Sequence, residues 1–472
     1  MNLLFYSTSS NIFDGKNTNL ETRPLLSSQW ENLAKKNPEH KFIIATQLPG
    51  MFLLDVKENQ IAQKAQNVEY FLIQDDDETK IAEFLASLNP DVAFAASFYS
   101  PPFDWLSVKD SLVAKKLQAK GIKTICHPLS SVLTCFDKWQ THEFFEKEKI
   151  RCAKAIFFNH ELFINGANRR EIKSNVYKAA FFEEIKSLKF PLIIKDTTGL
   201  SSYGMDVVQN FQEAKAIILS KKSSSNRILE EMILGEQFGL EAIRILKNGK
   251  SKVKILPPFK FSVNKYGITS PKQSVKVGPI LDEKKYNLPS LYKMIFKICE
   301  SLNFCGTANF DLVFNVQEKK WFVLEINPRL SGMTTSYAAS LEKSIPELLY
   351  EILCDDFDSG DFKTQSPQEN KSSLKNQSPQ EKQIFYPTMN IKFPILSTEK
   401  IEKAASLPFV KFVNQQENLG ARQLREKGYS EIIFNAKTFS ELKENLNTLK
   451  KEFHAEMENI FFENAIKLLD SI

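Results

Sequence analysis

Along the first part of the chain, short apolar runs alternate with segments of helical period. Residues 3–6, 41–45, 70–73, 92–95 and 123–125 read as strands, and the segments around 28–36, 79–88 and 108–120 read as helices. Such alternation predicts a parallel sheet covered by helices, an N-terminal α/β domain over residues 1–128. No G-x-G-x-x-G follows the first strand, so the sequence gives no support for a dinucleotide site there.

Beyond about Phe136 the texture changes. A helix at 138–147 precedes a long polar stretch at 159–175, a strand-turn-strand unit at 190–208 and an apolar run at 227–235. Strands at 242–246 and 253–256 and helices at 290–302 and 344–353 follow, so that 129–234 and 235–354 form two subdomains. Residues 355–383 turn polar and nearly repeat themselves, Gln365-Ser-Pro-Gln-Glu369 returning as Gln377-Ser-Pro-Gln-Glu381. Sequence of this kind cannot bury enough apolar surface to offset its conformational entropy, which predicts a flexible linker. Strands at 385–393 and 430–434 with helices at 397–405 and 440–454 predict a small α+β unit closing the chain over 384–472.

The segment from Trp321 to Gly332 ends an apolar strand with a carboxylate, an amide and a guanidinium at alternating positions. Residues two apart on a strand share a face, so Glu325, Asn327 and Arg329 are expected to point the same way. Carboxylate and amide oxygens suit a magnesium ion bridging a polyphosphate, and the arginine suits a transferring phosphoryl group. Taken alone, E-x-N-x-R is also what a solvated strand end looks like. A second strand-like run, 306–314, lies one hairpin upstream, where Asp311 is placed to pair across with Glu325. Asp311, Glu325 and Asn327 are therefore the candidate metal ligands, with Arg329 as a catalytic group.

Two further pieces suit a nucleotide. In the run from Phe190 to Gly204, Lys195 ends a buried strand and a small-residue turn with Gly199, Ser201 and Ser202 follows, which lets backbone N–H groups and hydroxyls approach phosphate oxygens beside a point charge. It is not a Walker loop, since no G-K-[ST] opens a helix, and standing alone it is an ordinary hairpin. The run from Ile228 to Glu241 has the character of a hinge strand, whose backbone at Glu230 and Glu231 could meet a purine edge while Met232 and Ile233 pack on the base. Glu236 or Gln237 would then reach the ribose hydroxyls.

Composition narrows the class further. A chain of 472 residues suffices for two or three domains, and a net charge of +5 over that length does not by itself point to nucleic acid. No apolar run has the length of a membrane span and the first residues lack the basic flank of a signal peptide, which predicts a cytoplasmic protein without a membrane partner. The 6 cysteines are scattered without a C-x-x-C pair and are expected to be reduced thiols. No Ser-His-Asp or Cys-His arrangement stands out, so no covalent nucleophile is expected.

Five segments, FDKWQTHEFF, FPLIIKDTTGLSSYGM, ILEEMILGEQFGLE, NFDLVF and VLEINPRLSG, occur in this order between about Ile125 and Glu351. In this the chain resembles the ATP-grasp superfamily of carboxylate-amine ligases. The resemblance implies an ATP-grasp fold of mixed α/β and α+β class: an N-terminal parallel α/β domain, a small lid subdomain, and a C-terminal α+β domain carrying the metal site. It implies ATP with Mg2+, or Mn2+ in its place, as cofactors. By position, Lys138 and Lys195 resemble the nucleotide-contacting lysines, Glu231 to Ile233 the adenine strand, and Arg329 the arginine facing the reacting phosphate. Many relatives carry a ribose-binding glutamate where Gln237 stands, so either Gln237 or Glu236 does that work. The implied reaction joins a small-molecule carboxylate to an amine through an acyl phosphate, releasing ADP and phosphate. The tail around Arg422 and Arg425 is similar to that of ligases joining amino acids or a peptide, and related ligases form homodimers. A carboxylase or nucleotide-precursor ligase, and a nucleotide-binding regulatory module without turnover, are the competing expectations.

Overall fold

Leu3, Leu4, Phe5 and Tyr6 are all fully buried, the pattern of a strand covered on both faces. The structure, a computed structural model, describes every residue except 9–11, 14–15, 48–49, 51, 58–60, 63, 99–105, 166–175, 199–204, 221–222, 248–249, 265–273, 355–383, 419–426 and 454–458. In it this strand, Asn2–Ser7, lies inside a 6-stranded sheet of order Lys64–Ala65, Val68–Leu72, Lys41–Thr46, Asn2–Ser7, Val92–Ala95, Lys123–Ile125. All pairings are parallel except the outermost hairpin. The strand order reverses beside Asn2–Ser7, so its carboxyl end and that of Val92–Ala95 form the switch point where such sheets open a crevice. Helix Leu26–Lys36 covers one face, and Glu78–Ser87 with Leu106–Ala119 the other.

A second, 4-stranded antiparallel sheet runs Asp206–Val208, Leu192–Asp196, Arg227–Glu231, Ala155–Phe158. Leu192, Ile194 and Leu229 turn to helices Val176–Lys186 and Phe211–Leu219, packing on Phe181, Ile185, Ala214 and Ile218. Alternation leaves Lys195 and Glu230 on the opposite face, where they can serve a ligand.

The third sheet is antiparallel and runs Lys320–Asn327, Gly306–Asn315, Glu236–Lys247, Phe259–Phe261, Val275–Gly278, Thr388–Phe393, Gly428–Asn435, Val410–Asn418, Lys16–Arg23, Ile12–Phe13, with Lys250–Ile255 off this path beside Glu236–Lys247. The strands beyond residue 384 thus extend the sheet of the metal hairpin instead of making a sheet of their own. Strand Lys16–Arg23, which periodicity did not reveal, pairs with Val410–Asn418 and ties the two chain ends together. One face of this sheet is sealed by helix Leu288–Ser301, which buries Leu291, Tyr292, Ile295, Ile298 and Cys299 at helical spacing. The helices near the C-terminus seal the same face farther along, over Val275, Val277, Met389 and Ile391. The other face carries the polar groups described below. The proposed linker 355–383 lies outside the described residues.

Gly428 holds the last hairpin in register, with φ at +119° and the place of any Cβ only 1.9 Å from the Gln416 carbonyl oxygen. Gly428→Ala must therefore both strain the backbone and push two paired strands apart, a loss of about 2–4 kcal/mol. Urea titration should show a lower midpoint with an unchanged slope, and an unshifted midpoint would contradict the reading.

Candidate active site

The metal hairpin depends on one irregularity. Trp321 and Val323 are both buried in the core opposite Phe314 and Leu312, so strict alternation would drive Glu325 into that core as well. A bulge intervenes, since Leu312 pairs with Val323 but the next residue back, Asp311, pairs with Glu325, leaving Leu324 as the extra residue. The register beyond it puts Ile326 into the core opposite Phe310 and turns Glu325 and Asn327 outward, opposite Asp311 and Asn309. The two carboxylates and the amide of the candidate metal set thus share one face.

Arg329 reaches the same place by another route. The strand ends at Asn327, and after Pro328 the Arg329 N–H donates to the Asn327 carbonyl at 2.8 Å, so the arginine is not the next strand residue that alternation implied. Its guanidinium folds back, Nη2 donating to Asn327 Oδ1 at 3.1 Å and Nη1 to the Leu330 carbonyl at 3.3 Å. Leu330 bridges to Phe98, which brings this turn against the switch point of the N-terminal sheet. A hollow between them is lined by Ser97, Asp110, Cys126, His127 and Arg329.

Two lysines approach the carboxylates, Lys138 from a helix whose Phe145 packs into the core of the third sheet and Lys195 from the second sheet. Asp137 caps helix Lys138–Lys147 by accepting from the Trp139 and Gln140 N–H groups, and the Lys138 N–H donates to the Thr197 carbonyl at 2.7 Å. So anchored, Lys138 places Nζ 3.4 Å from Glu325 Oε1. Lys195 pairs with Glu230 Oε2 at 2.6 Å. Burial works against its ammonium, but the charges of Glu230 and Glu325 hold the Lys195 pKa above the ordinary value. Gly199, Ser201 and Ser202 lie outside the described residues.

The hinge between the small and large sheets divides its backbone groups. The Glu231 N–H donates to Lys154 at 2.9 Å and the Met232 N–H to Pro191 at 3.0 Å, while the Glu231 side chain accepts from the Lys189 N–H at 3.0 Å. The Ile233 N–H has no partner among the described residues and is free for a base edge. Past the hinge, alternation separates the two ribose candidates. Glu236 falls on the core face with Phe238, where Lys260 pairs with it at 2.7 Å and Tyr286 lies beside it. Gln237 falls on the face of Gly239, which pairs with Asp311. The Glu236 carboxylate is thus paired with a buried lysine on the far side of the sheet from Asp311.

A divalent ion fits the donor set. Neither Asp311 oxygen has a hydrogen bond or ion pair among the described residues, although Glu325 stands directly across the hairpin. Burial and the Glu325 charge push the Asp311 carboxyl well above the ordinary carboxylate range, against the pull of Lys276, Arg329 and Lys195. Carboxylates that repel one another in a poorly solvated place, flanked by an amide oxygen, are what a hard cation neutralises. The described residues hold no cluster of three or more His, Cys, Asp or Glu side chains that would bind a metal unaided, so water and phosphate oxygens must complete such a site.

Sequence reading missed Glu241, which lies on the same face two residues beyond Gly239 and is 2% exposed. Its Oε1 accepts from Ser331 Oγ at 2.8 Å and Thr334 Oγ1 at 2.7 Å, fixing the turn after Arg329. Burial pushes its carboxyl up to about 7 despite these bonds. The folded protein therefore binds a proton here that the unfolded chain, near ~4.3, has already released. Stability from this group is full below pH ~4.3 and is lost as pH rises through 7. Glu241→Gln should be more stable than the parent at pH 8 by about 1–3 kcal/mol and equal to it near pH 4.5, checked by urea unfolding at both values.

With this geometry in place, likeness to known proteins becomes informative. The family described as D-ala D-ala ligase C-terminus matches residues 164–344, which include Lys195, the hinge and the metal hairpin. The D-alanine--D-alanine ligase of Buchnera aphidicola subsp. Schizaphis graminum (strain Sg) is 26% identical over 239 residues, 48% of this chain and 70% of that protein. Among solved structures, the ADP complex of an N5-carboxyaminoimidazole ribonucleotide synthetase superposes with a TM-score of 0.62 at 12% identity, over 97% of this chain and 98% of that one. L-amino acid ligase from Bacillus licheniformis superposes with a TM-score of 0.59 at 14% identity, over 96% and 97%. The fold is that of the ATP-grasp proteins. Within that fold, the family matched over residues 164–344 and the 26%-identical relative are described as D-alanine ligases. No helix among the described residues is long and apolar enough to cross a membrane.

Proposed function

We propose that this protein joins a small carboxylic acid to an amine, amino acids or a peptide among them, at the expense of ATP and through an acyl phosphate. The observation that supports this most is the carboxylate of Asp311, without a partner among the described residues and facing Glu325, with Lys138, Lys195 and Arg329 drawn around the pair. In this reading residues 129–234 form the lid, 235–354 carry the metal site, and the 1–128 and 384–472 units shape the substrate side.

Asp311, Glu325 and Asn327 would hold magnesium, or manganese in its place, which when bound screens the phosphate charges and sharpens the terminal phosphoryl group as an electrophile. Lys138 and Lys195 hold the phosphates, the Ile233 N–H meets the base edge and Gln237 a ribose hydroxyl. Arg329 neutralises charge as the acid's carboxylate attacks the γ-phosphorus, and the amine then displaces phosphate from the acyl phosphate. No side-chain nucleophile is required, and every group named comes from one chain, so a homodimer is not needed to complete the site. The cytoplasm, where ATP and free amino acids meet, is the compartment this reading implies.

ADP release in the presence of ATP, magnesium and pooled amino acids tests the reading, with hydroxylamine added to trap the acyl phosphate as a hydroxamate. Carboxylate-dependent ADP release with hydroxamate formation is expected. Nucleotide binding with no ADP release under any acid and amine mixture would return the chain to a regulatory nucleotide-binding module.

A further inference from the structure

Lys276 sits mid-strand between Val275 and Val277, whose side chains enter the core on the sealed face of the third sheet. Its own side chain therefore emerges on the face of Glu241 and Asp311, only 9% exposed. No hydrogen bond or ion pair to it exists among the described residues, and its ammonium lies over the Phe261 ring, 5.7 Å from the centroid. Burial and the charge of Lys392 push its pKa down to about 8, against the pull of Glu431, Asp311 and Glu241. Among the described residues the nearby Glu431 pairs with Lys392 instead, its Oε1 3.3 Å from that ammonium.

Two other features mark this place, where Glu431 Oε1 would also stand 3.8 Å from a Cβ on Gly332. A Cβ on Gly332 would stand 2.9 Å from Lys276 Nζ, so the first residue of helix Gly332–Ser340 is bare where it passes the ammonium. That helix also points its N-terminus, the positive end of its dipole, toward the same spot. An ammonium taken out of water without a hydrogen-bonded acceptor is costly, and a ligand oxygen beside the bare Gly332 would supply one.

We propose that Lys276, with Lys392 behind it, binds a substrate carboxylate that does not take part in the reaction. The proposal rests on the ligase reading and deepens it: at least one of the two joined molecules carries a second acidic group. Three inter-strand steps separate the strand of Asp311 from that of Lys276, on the order of 14 Å, and a lysine side chain spans part of that gap. An amino acid whose one end reacts beside Arg329 would dock its far carboxylate on Lys276. The carboxylate can come from the amine partner, as its own acid group, or from the acid partner, as a second one.

The test uses the full chain and Lys276→Met. With a turned-over pair, each partner is replaced in turn by the analogue whose non-reacting carboxylate is a carboxamide. The parent should lose about tenfold or more in KM for one analogue, which identifies the source, and Lys276→Met should show the same loss for the parent substrate while leaving KM for ATP unchanged. Lys276→Arg should restore part of the preference. A Lys276→Met variant that loses kcat but still prefers carboxylate over carboxamide overturns the subsite. Should Lys276→Met not fold, Lys276→Gln carries the same comparison. If no pair is turned over, glutarate serves as a binding probe: it should raise the melting temperature of the parent and not of Lys276→Met, and equal shifts or none overturn the subsite independently of the ligase reading.

Discussion

Glu325→Gln should lower magnesium-dependent ADP formation by about 10³-fold, a loss of ~4 kcal/mol in transition-state stabilisation. The glutamine keeps the size and one oxygen of the glutamate, so the bulge at Leu324 and the pairing with Asp311 need not change. What disappears is one of the two negative charges proposed to hold a divalent ion, together with the partner of Lys138 at 3.4 Å. The same substitution relieves Asp311, whose carboxyl is raised first by burial and then by the Glu325 charge. The variant should therefore melt at or above the parent temperature while losing turnover, which separates a site effect from a folding effect. Raising magnesium should recover part of the rate, because weaker binding answers to mass action whereas a misplaced phosphate does not. A rate within about tenfold of the parent at saturating magnesium would remove Glu325 from the metal set.

The order of motifs along the chain was legible because each rests on local chemistry. Helix Lys138–Lys147 appears with the boundaries expected of it, and so does strand Val92–Ala95. The pairing of Asp311 with Glu325 was also legible, since a short polar turn between two apolar runs leaves few registers open. The bulge that makes the pairing useful was not. Trp321, Val323, Glu325 and Asn327 alternate without a break in the sequence, and only the competition between a buried tryptophan and a solvated carboxylate decides where the alternation slips.

Lys276 and Glu241 were invisible for the opposite reason. A lysine between two valines or a glutamate among apolar residues reads as an ordinary strand with one solvated side, and their burial comes from helix Gly332–Ser340 laid across that side. That helix has almost no apolar periodicity, because all of its residues from Met333 to Ser340 are buried, the threonines and serines included. Where an element is covered on every side, the alternation that betrays most helices is absent. The difference in surroundings between Glu236 and Gln237 had the same character, turning on strand parity and on Lys260 and Tyr286 from outside the motif.

Arg329→Met should lower turnover by about 10²- to 10³-fold while leaving ATP affinity within about threefold. The guanidinium bonds to Asn327 Oδ1 and to the Leu330 carbonyl, beside the carboxylates and apart from Lys195, which pairs with Glu230. A group placed there acts on the phosphoryl as it leaves and on the acyl oxygen that receives it, so its charge counts most in the transition state. Its loss also frees the Asn327 amide, whose orientation Nη2 fixes at 3.1 Å, and the magnesium concentration giving half the maximal rate should rise with it. Arg329→Lys keeps the charge but not the planar fork, and should restore the rate only in part without restoring the magnesium response. A variant in which ATP affinity falls as far as turnover would instead make Arg329 a ground-state phosphate contact, and the acid would have to be activated by Lys195 alone.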